Sequence, residues 1–400
     1  MILLFLLLSA LASSANAYIS IITGANGFVG RQVVYSLLQQ RNGDSKDAVI
    51  CLVRPDKVPR EETYWNDHVM DQDDDNVCVK VLPYDMLDGG ETLNDALKTA
   101  ITNVDHPSES CPICIYHIAS VFGPTADPIQ TANDNVQSAE DVVRTLDKFY
   151  QSHPNAKLRL VLTSSMAAVR ATDQKPLNGK FYTHRDWNTL SKLNGENWGS
   201  CYQYSKAESE RRAFELVKEC NEKYARENQI EMVALCPSFV FGPPPPMPSK
   251  MTDATKNGSS SFSLALINQW LRGDSPVQSR LCLDVRDCAD AHVAAGRMNK
   301  LPDDDVDRRY ILSAEERLSS KATAKALMRG VERATKDSLR TIDLSKMTCD
   351  TQFTGGAIPI GQQEVEAAER LKRDLGVVCR PVEETMQDMA EALLLGGVLE

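Results

Sequence analysis

Short apolar, β-branched runs recur along the chain, separated by stretches with helical spacing. Residues 18–23, 48–53, 77–82, 113–119, 158–163 and 232–236 each read as a buried strand. Residues 32–40, 91–101, 133–150 and 205–228 carry apolar positions at helical intervals. The strands are continuously apolar rather than alternating, as in a parallel sheet covered on both faces. Strand following helix following strand predicts an α/β fold, a Rossmann-type doubly wound parallel sheet with helices on both faces. After Gly242 the texture changes. The prolines at 243–246 stop regular structure, and residues 250–261 are polar and rich in glycine and serine. Helices are expected at 263–271, 320–334 and 365–375, and a strand at 310–313. This divides the chain into a nucleotide-binding domain at 18–240 and a smaller C-terminal substrate-binding lobe at 241–400, with the 283–315 region returning to the first domain.

The turn after the first strand is rich in glycine: Thr23-Gly24-Ala25-Asn26-Gly27-Phe28-Val29-Gly30. Strand, glycine turn and helix is the setting a dinucleotide fingerprint requires. Gly24 permits the tight turn, Gly27 lets the backbone approach a pyrophosphate, and Gly30 lets the helix pack on the strand. The phosphates would meet the free N–H groups of the helix. Asn26, Phe28 and Val29 share this turn and would line the same site.

Polar groups stand at the other strand ends. Arg54 follows the second strand, with Lys57 and Arg60 close behind; a cation there suits the 2′-phosphate of NADP rather than the free ribose hydroxyl of NAD. Asp85, followed by Met86, stands after the third strand and could accept from an adenine amino group or cap a helix. The fifth strand runs into Thr163-Ser164-Ser165. Further on, Tyr202-Gln-Tyr-Ser-Lys206 opens a long helical pattern. Positions i and i+4 share a helix face, so Tyr202 and Lys206 can meet one substrate–cofactor pair, whereas Tyr204 points elsewhere. A phenol near ~10 is a poor acid–base group at neutral pH, and a neighbouring ammonium is expected to lower it.

Composition limits the alternatives. The net charge of −11, without a basic tract, argues against nucleic acid. The acidic patch at 71–75 reads as a solvated loop tip. The eleven cysteines are scattered through core-like segments and read as small hydrophobes; Cys111-Pro-Ile-Cys114 reads as a loop cysteine followed by a strand cysteine. Residues 1–17 carry an apolar run and a small-x-small end, the pattern of a secretory signal peptide. The run is too short to span a bilayer, so no stable span is expected once it is cleaved. An uncleaved anchor and an extra N-terminal strand remain alternatives. The segment and the sequon Asn257-Gly258-Ser259 point to the secretory pathway, or to the cytoplasm if the segment is not functional.

The chain resembles the extended short-chain dehydrogenase/reductases (the NAD-dependent epimerase/dehydratase superfamily), and within them the dihydroflavonol-reductase-like and cinnamoyl-CoA-reductase-like group. The matching stretches are TGANGFVG at 23–30, LVRP at 52–55, YDMLD at 84–88, IYHIAS at 115–120, LTSSMAAV at 162–169, DWN at 186–188, YQYSKAESE at 202–210, CPSFVFGP at 236–243 and VRDCADAHV at 285–293. The resemblance implies an NADP(H)-dependent enzyme acting on CH–OH or C=O groups of a small molecule, as a monomer or homodimer. Tyr202 would be the general acid, Lys206 would hold the nicotinamide ribose, and Ser165, with Ser164 as the fallback, would bind the substrate oxygen. Asn135 would support the lysine through its backbone or a water. Pro237 and Ser238 would line the nicotinamide, and Ala119 and Ser120 would pass beside the cofactor. Arg286 and Asp287 would either start a helix or touch substrate.

The chain also departs from the group. The 178–200 insert with Trp187 and Trp198 is its own, and so are the prolines at 243–246 and the signal-like start. The competing readings are a nucleotide-sugar epimerase, a 3β-hydroxysteroid dehydrogenase-like enzyme and a catalytically silent NADP-sensing protein. Dehydratase chemistry is disfavoured, because residues 166–169 read Met-Ala-Ala-Val and carry no carboxylate.

Overall fold

The computed structural model describes residues 18–40, 47–68, 77–102, 112–194, 197–224, 230–245, 261–336, 343–350 and 362–396. The signal-like segment, the acidic patch, Cys111 and the sequon lie outside these residues. Strands β1 (Ile19–Thr23), β2 (Asp47–Val53), β3 (Val77–Pro83), β4 (Ile113–His117), β5 (Leu158–Thr163), β6 (Glu231–Pro237) and β9 (Arg309–Leu312) form one sheet in the order β3-β2-β1-β4-β5-β6-β9. Every pairing in it is parallel. All residues of β1, β2, β4 and β5 are buried, which explains their unbroken apolar character.

On one face, helix α1 (Phe28–Gln39) packs against α8 (Val285–Arg297), with α10 (Gln362–Leu375) beside β9. On the other, α3 (Glu91–Thr102), α4 (Pro128–Ser152) and α6 (Trp198–Tyr224) cover a core that includes Leu93, Leu146, Leu160 and Met232. Short α2 (Val58–His68) and α5 (Met166–Val169) complete the sheet layers. A third core joins α7 (Phe262–Arg272), α9 (Ser320–Thr335) and α11 (Val382–Leu395) with the two-stranded parallel sheet of β7 (Phe239–Phe241) and β8 (Cys282–Asp284). No described helix is long and apolar enough to cross a membrane.

Several helices start earlier than their apolar periodicity suggests. Helix α4 begins at Pro128 because the Asp127 side chain accepts from the Gln130 N–H and proline fits the first turn. Helix α6 begins at Trp198, so Tyr202 lies in its second turn rather than at its opening. Helix α11 was not anticipated. It follows Pro381 with Glu383 and Glu384 in its first turn, which favours the positive end of the helix. Gly330 lets α9 and α11 meet, since a Cβ there would collide with the Gln387 carbonyl. None of the nine cysteines with described side chains forms a disulfide. Cys114 is fully enclosed in β4, and burial pushes its thiol up to about 12, so it behaves as core.

Candidate active site

The glycine turn forms one end of a cleft of about 1100 Å³. Gly24 has φ +67, and a Cβ there would lie 3.1 Å from the Ala119 backbone. At Gly30 a Cβ would strike the Gly24 carbonyl oxygen, so α1 can sit on the turn only without a side chain. Gly27 caps α1 with no side-chain acceptor, and the first turn holds no acidic residue. Its N–H groups and positive end are therefore open to an anion. The residues present fit a dinucleotide pyrophosphate.

A buried threonine fixes the opposite wall. Thr23 Oγ1 accepts from the N–H groups of Ile118 and Ala119, each at 3.1 Å. Its single proton then goes to His117 Nδ1 at 3.0 Å, which leaves the imidazole neutral with its proton on Nε2. Burial first, and then the Lys206 charge, lower the His117 pKa to about 3. A second pair repeats the device: His292 Nδ1 donates to the Cys288 carbonyl at 2.7 Å, and its Nε2 receives the Thr163 hydroxyl at 2.8 Å. Both histidines are structural.

Gly24, Asn26, Gly27, Phe28, Val29, Gly30, Arg54, Asp85, Met86, Ala119, Ser165, Tyr202, Lys206, Pro237 and Ser238 all line this single cleft. Arg60 does not: it is exposed on α2, outside the lining. Of the three cations only Arg54 lines the cleft, beside Pro55 and Asp56, while Lys57 pairs with Asp56 at 2.9 Å. The Arg54 side chain is 70% exposed and lies 3.9 Å from Asp56, leaving its guanidinium open to a phosphate. Asp85 is exposed at the rim, and its Oδ1 accepts from the Leu87 N–H; the α3 start is held by Asp88 instead.

Ser165, Tyr202 and Lys206 converge at the centre. Ser165 caps α5, accepting from the Ala167 N–H at 3.1 Å, and its hydroxyl contacts the Tyr202 phenol. Ser164 is no fallback: its hydroxyl is committed to Glu210 at 2.5 Å. Lys206 Nζ donates to Ser120 Oγ at 3.1 Å and to the Thr163 carbonyl at 3.0 Å. Burial lowers its pKa to about 8, against the opposing pull of Cys236 and Glu210. Burial of the phenol raises Tyr202 to about 12, opposed by Ser165. The expected lowering by Lys206 is absent, since the ammonium is turned to Ser120 and Thr163 and sits 5.9 Å from the tyrosine ring centroid. Asn135 stands behind the loop that leads to Lys206. Its side chain clamps Val121 through both the N–H (2.8 Å) and the carbonyl (3.0 Å), and its own carbonyl accepts from Ser209. It thereby fixes the loop carrying Ser120, whose hydroxyl accepts from Lys206.

Arg286 and Asp287 take the structural role. Arg286 pairs with Asp284 and Asp388, and Asp287 holds Arg380. Sequence reading missed the pair Glu210–Arg309, both side chains 0% exposed. Arg309 also donates to the carbonyls of His184 and Asp186 and lies 3.6 Å over the Trp187 ring. The only signal was the i+4 step from Lys206 to Glu210. The aromatic cluster of Phe122, Trp198, Phe239 and Phe262 around Tyr202 left no sequence signal at all.

Residues 22–267 match the NAD-binding family described as "Male sterility protein". The chain belongs to this family. That places it among the extended short-chain dehydrogenase/reductases, as its motifs indicated, and makes it an NAD(P)-dependent reductase by class. An uncharacterized oxidoreductase of Schizosaccharomyces pombe is 27% identical over 291 residues, covering 70% of this chain and 74% of that protein. A cinnamoyl-CoA reductase of Medicago truncatula is 27% identical over 287 residues, covering 71% and 74%. Among solved structures, the yeast methylglyoxal/isovaleraldehyde reductase complexed with NADPH superposes with a TM-score of 0.68 at 22% identity, covering 95% of this chain and 99% of that one. Vestitone reductase of alfalfa gives 0.59 at 18%, covering 95% and 99%. At such identities the structural likeness is one of fold.

Proposed function

We propose that the protein is an NADPH-dependent carbonyl reductase, also able to run as an alcohol dehydrogenase, with Tyr202 as the general acid–base. The observation that carries this reading is the convergence of Ser165, Tyr202 and Lys206 on the cleft that begins at the glycine turn. Gly24 to Gly30 would hold the pyrophosphate, Arg54 the 2′-phosphate, and Pro237 with Ala119 the nicotinamide end. Bound NADPH supplies the hydride that reduces the carbonyl carbon. Ser165 Oγ and Tyr202 Oη face the substrate oxygen together. With its pKa near 12, Tyr202 keeps its proton at neutral pH, yet an alkoxide is more basic still, so transfer from Oη is downhill. Lys206 is positively charged below about pH 8 and lines the same cleft, where it would hold the nicotinamide ribose. Ser238 Oγ is buried without a partner among the described residues, a free group at the cofactor wall. Tyr202→Phe should leave NADPH affinity close to wild type while carbonyl turnover falls roughly 10²–10⁴-fold. Cofactor titration and NADPH oxidation measure the two, and undiminished turnover would refute the assignment.

A further inference from the structure

Resting on that reading, we propose that the substrate is an apolar carbonyl compound carrying an anionic group at the end remote from the carbonyl, received by Arg280. Four aromatic rings make a continuous wall from the reacting phenol to this guanidinium. The Phe122 ring lies 4.6 Å from Tyr202, Phe262 lies 4.9 Å from Phe122, and Phe239 lies 6.5 Å from Phe262. The Arg280 guanidinium stacks 4.6 Å over Phe239. Trp198 closes the wall at 5.6 Å from Phe122. All of these residues line the cleft that holds Tyr202 and Ser165. Phe122 is 41% exposed there, an apolar surface that the described residues leave partly uncovered.

Arg280 is the unbalanced element of this wall. Its Nε is buried with no hydrogen-bond partner among the described residues, and no described carboxylate stands within ion-pair distance. Its Nη2 donates to the uncharged Gln278 amide oxygen. Burial and the neighbouring Arg317 cation both disfavour its charge, and Asp350 offsets them only in part. A half-buried guanidinium that lines the cleft with a second cation beside it is stabilised by an incoming carboxylate or phosphate at its cleft-facing edge. The rings between it and Tyr202 present an apolar surface, which favours an apolar connecting body in the substrate.

The test uses purified full-length protein with NADPH and a series of straight-chain ω-oxo acids, the matching ω-oxo alkyl phosphates and the neutral methyl esters. We expect kcat/KM for at least one anionic series to exceed that for the esters, with the difference mostly in KM. Arg280→Met, which keeps the apolar stem, should reduce the anion-to-ester ratio roughly tenfold to hundredfold. Arg280→Lys should retain part of it and serves if the methionine variant fails to fold, as judged by thermal denaturation. Preference for the acids identifies a carboxylate, and preference for the phosphates a phosphate; either supports the proposal. Equal turnover of anions and esters, or a ratio unchanged in Arg280→Met, overturns it while leaving the reductase reading intact. Turnover of neither series by the wild type, with no reaction on simple aldehydes, overturns the reductase reading itself.

Discussion

Lys206 is held by two oxygens and surrounded by protein, and that enclosure sets its chemistry. With its pKa lowered to about 8, it loses its charge within an accessible pH range. Activity in carbonyl reduction should therefore decline as pH rises through about 8, since the cleft loses the cation proposed to hold the nicotinamide ribose. Stability moves the other way. The unfolded chain keeps this proton up to the ordinary lysine range, so above about pH 8 the unfolded state binds more protons and folding becomes more favourable. The expected result is an alkaline limb in kcat/KM near pH 8 with no loss of circular dichroism. A flat profile up to the phenol's range would contradict it. Arg54 is the second residue whose role rests on one group. Arg54→Asp should lower the ratio of kcat/KM for NADPH over NADH by roughly ten- to a hundredfold. An unchanged ratio would mean that another group reads the 2′-phosphate.

At the scale of elements, the catalytic helix is bolted to the sheet from behind. Tyr202, Lys206 and Glu210 are spaced four apart on α6, so one face carries both the reacting groups and their anchor. Glu210 receives Ser164 from the end of β5 and Arg309 from β9, while Arg309 grips the carbonyls of residues 184 and 186 in the insert. The pair thus ties two strands, one helix and the insert together directly behind Ser165. Removing one partner leaves the other charge buried alone. Arg309→Met should cost about 3–5 kcal/mol in urea denaturation. The double variant Glu210→Met/Arg309→Met should cost clearly less than the two single changes combined, because the orphaned charge is gone. Additive losses would show that the pair is not a unit.

Across the whole molecule, six of the seven strands of the main sheet were readable from apolar runs within a residue or two, and β9 from its own run at 310–313. Parallel strands covered on both faces leave that signal in any sequence. The glycine turn, Arg54 and the Tyr202–Lys206 step were legible for a related reason: each is a local spacing with a local consequence. The helix starts of α4 and α6 were less legible, since caps and first turns carry polar residues that apolar periodicity ignores. Arg60 and the lysine's effect on Tyr202 were misjudged because sequence proximity does not state direction. What the sequence alone determined is the order of strands and helices and the identity of the groups at the strand ends, all encoded within a few neighbouring residues. Only the tertiary structure decided which groups meet. Arg309 reaches Glu210 from 99 residues away, and Phe122, Phe239, Phe262 and Arg280 form one wall from four separate segments. Such contacts depend on how the sheet twists and the lobe folds back, and no local pattern records that.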